Sequence, residues 1–141
     1  MNAAQKTLRS VRVLHTVFPL AAILYIALPM AVVRNSDRQV SQVIVLALGV
    51  AALGNIGIAF FYRSRMIRPA ADHLRENPDA GDAARRWRGG VVVSLVFCES
   101  VVLFGLALRF IGASWNVCGI FYAVGILLML AWTPKLDLLS Q

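Results

Sequence analysis

Glu99 is the residue whose placement most needs a chemical explanation. It stands near the middle of Gly90 to Ile111, 22 residues that are otherwise almost unbroken apolar sequence. About 20 such residues are enough to cross the hydrocarbon core of a bilayer, and a carboxylate at that depth costs at least about 2.5 kcal/mol on insertion scales. A chain that keeps one there has a partner for it, a proton for it or a use for it. Asn55 is the nearest candidate partner. Glu99 lies nine residues past Gly90 and Asn55 seven residues before Tyr62, depths of about 13–14 Å and about 10–11 Å at the rise of a helix. The Asn55 amide is therefore expected to donate to Glu99 and to reduce the cost of burying it. Ser100 is the next residue along but points about 100° further round the helix. A protonated Glu99 can donate one hydrogen bond and accept others, which suits a quiet interhelical bond or a proton carrier equally well. Arg109, about 15 Å further along the axis, is too distant for an ion pair within the chain and is expected to reach out to the headgroups.

The remaining chemistry-bearing residues are sparse. Cys98 and Cys118 fall inside apolar runs and read as reduced thiols acting as small hydrophobes. With only His15 and His73 beside them, no set of residues at metal-ligand spacing exists. No nucleophile–base pair and no glycine-rich phosphate loop is visible, and Ser94, Ser100 and His15 do not make a triad. The expectation is a protein that is not an enzyme and holds no cofactor or metal.

The elements that would position Glu99 follow from composition. The 141 residues are 59% hydrophobic and 15% charged, with mean hydropathy +0.70; soluble domains run at about 45–50% and about 25%. The shift is that of a multi-pass membrane protein. Four spans are expected, at 13–33, 41–62, 90–111 and 117–133. Pro19 and Pro29 predict a kink or break in the first. Lys6, Arg9 and Arg12 before that span resemble the start of a signal peptide, but its length and the spans after it read as a retained helix. Gly49, Gly54 and Gly57 in the second span and Gly105 in the third are read as helix-packing positions.

Between the second and third spans lies a polar stretch, 63–89, with seven arginines: Arg63, Arg65, Arg68, Arg75, Arg85, Arg86 and Arg88. It is too short to bury a core of its own. Pro69 suits the first turn of a short helix ending near Glu76, Asn77-Pro78-Asp79 signals a turn, and 81–88 extends the third helix. Arg63, Arg65, Arg68, Arg85, Arg86 and Arg88 are read as contacts for anionic headgroups or a docking protein. The N-terminal arm, this stretch and the tail hold eleven of the fourteen Lys and Arg; Arg34, Arg38 and Arg109 make up the other side. That asymmetry predicts both termini and the basic loop in the cytoplasm, at the inner (plasma) membrane. The net charge of +7 is explained by topology and headgroups, so nucleic acid is not expected as a partner. The fold class is then all-α: an integral membrane four-helix bundle, two hairpins joined by a basic cytoplasmic loop, in a single domain.

Ser94 to Leu108, SLVFCESVVLFGLAL, resembles the carboxylate-bearing second helix of the c subunit of rotary ATP synthases: an apolar run, an ionisable acid (Glu99), then an aromatic (Phe104) and a glycine (Gly105). Asn77-Pro78-Asp79-Ala80 is similar to that family's polar loop, and the second span stands where the family has its glycine-rich helix. Ser100 follows the acid as a Ser or Thr does in sodium-binding members, and Asn55 lies roughly where they carry a Gln. The chain departs from the pattern in its sparser glycines, in lacking Arg-Gln before Pro78, in Phe104 where sodium binders have Tyr, and in its first and fourth spans. The resemblance covers roughly residues 46–111. It implies a c-like subunit handling protons or cations within a membrane assembly, through Glu99, Asn55 and Ser100. The alternative is a non-catalytic accessory subunit of a larger complex, in which Glu99 and Asn55 are interhelical glue. Both imply a homo-oligomer or a membrane-protein partner.

Overall fold

A computed structural model of the chain describes residues 3–33 and 40–132. The turn at 34–39 and the tail beyond Trp132, to which the charge count assigns Arg34, Arg38 and Lys135, lie outside the described residues. The chain is all-helical, with no strand among the described residues. The elements are α1 (Ala3–Val32), α2 (Gln42–Tyr62), a π-helical turn (Arg63–Ile67), α3 (Arg68–Glu76), α4 (Gly81–Phe110) and α5 (Trp115–Ala131). Three helical runs, Gln5–Val32, Gln42–Glu76 and Gly81–Phe110, are long and apolar enough to cross a membrane; α5 is apolar but shorter, at 17 residues.

The polar stretch at 63–89 is helical over most of its length, with a short helix ending at Glu76 and α4 starting at Gly81. α2 runs without interruption through the π turn into α3, 35 residues in all. Pro69 gives the physical reason for the widened turn. It has no N–H for the Arg65 carbonyl, and its ring would crowd that carbonyl in a regular α-turn. The π turn relieves this, with the Arg68 amide bonding the Arg63 carbonyl five residues back. The chain reverses only at residues 77–80, where the Asn77 amide bonds the His73 carbonyl and Ala80 bonds back to Asn77, with Pro78 in the second position of the turn.

α1 is one helix despite Pro19 and Pro29, so the break expected there is not seen. Each proline still withdraws the donor for the carbonyl four residues earlier, at His15 and Tyr25. The α4–α5 connection is a Schellman turn: Gly112 has φ 100°, its amide bonds Arg109, and the Ala113 amide bonds Leu108.

α4 is central. It packs against α1, α2, α3 and α5, and α1 also touches α5. Within the most apolar window of each helix, 44% of α4 is buried against 11% of α1 and of the α2–α3 run. The outer faces of α1 and α2 leave large apolar side chains such as Leu24, Met30, Val43 and Leu53 exposed.

Candidate functional site

Successive residues of α4 face different neighbours, and this decides what each can touch. Buried Ser94 donates its hydroxyl to the Ala59 carbonyl of α2 at 3.3 Å. The Cys98 carbonyl and Val102 lie against Gly125 of α5. Glu99 is turned by about 100° from Cys98, and that turn aims it at α1. There the Tyr25 hydroxyl donates to Glu99 Oε1 at 3.0 Å. Both side chains are half-buried. The pair is 74 residues apart in sequence, and it is level because α1 and α4 run in the same direction: Lys6, Arg9 and Ser10 share a cavity with Arg88 at the arginine-rich end.

The partner of Glu99 is thus Tyr25, not the expected Asn55. The depth argument for Asn55 holds, since the antiparallel register set by Ala59 and Ser94 brings it about level with Cys98. The rotation is what differs, because Glu99 faces α1 and not α2. Asn55 is half-buried, and among the described residues it makes no hydrogen bond to Glu99. Ser100 is not part of a Glu99 site either: its hydroxyl bonds the Val96 carbonyl one turn back at 2.9 Å. Glu99 Oε2 has no hydrogen-bond partner among the described residues. The signal for Tyr25 was present in the sequence. It is thirteen residues past Arg12, as Glu99 is eleven past Arg88; depth counting across all the runs, and not only the adjacent one, brings it in beside Asn55 as a second candidate without choosing between them.

Two further side chains close helix ends. His15 Nε2 lies 2.8 Å from the Met129 carbonyl in the last turn of α5, where the helix runs out of its own donors. Arg109 was expected to reach outward. It is buried instead, because the Schellman turn folds the chain back over it: Nη1 donates to the Ala113 carbonyl at 2.8 Å, and the guanidinium lies 4.7 Å from the Trp115 ring centre. Cys98 and Cys118 are free and buried.

Of the glycines read as packing positions, Gly105 is the one with close neighbours. A Cβ there would come within 3.1 Å of the Cys118 carbonyl and the Phe121 side chain. Gly49, Gly54 and Gly57 have open space around that position among the described residues, because they lie off the face of α2 that α4 covers. Close approach occurs instead at Gly125, where a Cβ would lie 3.1 Å from the Cys98 carbonyl, and at Gly90, under Ile67. The arginines gather at one end. Arg63 is half-buried, 5.6 Å from the Trp132 ring centre. Arg85 pairs with Asp82 at 2.9 Å, and Arg65, Arg68, Arg86 and Arg88 are exposed. Among the described residues no group of three His, Cys, Asp or Glu is placed to hold a metal ion. No protein-family model, curated protein or solved structure matches the chain.

Proposed function

We propose that the chain is a multi-pass protein of the inner (plasma) membrane, a four-helix bundle in which Glu99 takes up and releases a proton as part of a membrane assembly. Three long apolar runs support the insertion, and the crowding of arginines at one end supports a cytoplasmic placement of that end. The observation that carries the reading is the Glu99 carboxyl itself. One oxygen is held by Tyr25, the other has no hydrogen-bond partner among the described residues, and both groups lie within long apolar helices, well away from their ends. A fixed carboxyl with one open oxygen can exchange a proton with a neighbouring chain. A proton is favoured over a metal cation because the oxygens a cation would need are not gathered there: Ser100 is bonded to its own helix and Asn55 is on another face. The proposal needs no catalytic step.

The second reading is a polar lock, with Tyr25 and Glu99 fastening α1 to α4 and no proton moving. The length of the bridge, from the first helical run to the third, favours it. Infrared difference spectra of the bilayer-embedded protein separate the two, with E99Q identifying the Glu99 carbonyl stretch. Proton handling predicts a Glu99 band that comes and goes reversibly with pH. A Glu99 signal that stays the same at every pH at which the helices remain folded leaves only the lock.

A further inference from the structure

A second site lies at the arginine-rich end, between the π turn, α3, α4 and the end of α5. It is a cavity of about 470 Å³. Three arginines line it, Arg63, Arg68 and Arg75, against one acid, Asp72, which is already paired with Arg75 at 3.3 Å. The wall facing them is different in kind: Trp87, Val91 and Leu95 of α4, with Trp132 beyond α5. Val91 and Leu95 begin the apolar run that leads towards Glu99, so the cavity is cationic at its mouth and apolar along its floor.

We propose that this cavity binds the phosphate of an anionic lipid headgroup, with Arg63 and Arg68 as its principal ligands. Guanidinium groups present paired N–H donors that match phosphate oxygens. Asp72 occupies part of Arg75, which leaves Arg63 and Arg68 with the unbalanced charge. Arg63 stacked on Trp132 is held where a headgroup would enter, and an aromatic ring of that kind suits a membrane–water boundary. The floor of Val91 and Leu95 is what selects a lipid over a free phosphate ester: it offers a path for an acyl chain, and the one hydroxyl on it, that of Ser94, is already given to the Ala59 carbonyl. Basic pockets between helices at the cytoplasmic face bind anionic headgroups by this combination. The inference rests on the membrane placement proposed above and is independent of any role for Glu99.

The test uses the full chain in bilayer nanodiscs, with anionic phosphatidylglycerol titrated against zwitterionic phosphatidylcholine and bound lipid counted by native mass spectrometry. R63Q/R68Q is expected to lower retention of the anionic lipid about thirtyfold, from roughly one unit of surface charge interaction per arginine. R9Q/R12Q, which removes the same charge at exposed positions of α1 outside this cavity, is expected to leave retention within about twofold. A71W keeps every charge and fills the cavity from α3, where Ala71 lines it half-buried. It is expected to reduce retention as R63Q/R68Q does, and it carries the test alone if the double variant does not fold. Equal losses in R63Q/R68Q and R9Q/R12Q would mean a diffuse charge effect and overturn the site. Full retention in A71W would do the same. Displacement of the lipid by millimolar inorganic phosphate would overturn the lipid as ligand and assign the cavity to a free anion.

Discussion

Replacing Tyr25 by Phe removes one hydroxyl and leaves the ring in place. The structure then fixes what is lost: a single hydrogen bond of 3.0 Å to Glu99 Oε1, between α1 and α4. Hydrogen bonds between membrane helices average about 0.6 kcal/mol and reach about 1.7. Both groups here are half-buried, so the lower part of that range applies, about 0.6–1 kcal/mol, or a three- to fivefold change in the folded ratio. The assay is reversible unfolding in mixed micelles, followed by helical circular dichroism, on wild type, Y25F, E99A and the double variant. In the E99A background Y25F should cost nothing further, because its acceptor is gone, so the coupling energy equals the bond. In the E99Q background it should cost as much as in wild type, because the amide oxygen still accepts. If Y25F costs the same with and without Glu99, the two groups do not interact and the account of the site fails.

Other expectations follow from the packing. G125A should destabilise by about 1–3 kcal/mol, since its Cβ would lie 3.1 Å from the Cys98 carbonyl and against Val102. G54A, in open space, should be neutral or stabilise by about 0.5–1 kcal/mol in the same assay. H15F should cost about 0.5–1.5 kcal/mol by removing the donor to the Met129 carbonyl while keeping a ring of similar size. Cys98 and Cys118, both about fully buried, should resist a membrane-permeant maleimide until detergent unfolds the helices; prompt labelling would contradict the packing of α4 on α5.

Most of the fold was legible because its signals are long. A run such as 90–111 declares a helix by length and hydropathy alone, and Pro69 and Asn77-Pro78-Asp79 mark a helix start and a turn by local backbone chemistry. The identity of Glu99's partner was not legible in the same way. Depth along a helix can be counted from its ends, but rotation depends on which neighbour covers which face. Ser94 turns α4 towards α2, Cys98 and Val102 towards α5, and Glu99 is left facing α1. The same ambiguity explains the glycines. Gly49, Gly54 and Gly57 look like a packing ladder in sequence, yet α2 presents another face to α4, and the close approach is at Gly125. Arg109 was misjudged for a related reason: nothing about an arginine near a helix end reveals that the following turn will fold a carbonyl and a tryptophan over it.

Proton flux tests the claim about Glu99 most directly. The purified chain, alone and with any partner that co-purifies, is reconstituted in liposomes holding a pH-sensitive dye, and a potential is imposed across the bilayer. The account predicts that wild type acidifies the lumen, that E99Q does so no faster than protein-free liposomes, and that E99Q keeps the helical content and particle mass of wild type. Flux through E99Q equal to that through wild type would show that protons do not pass by way of Glu99.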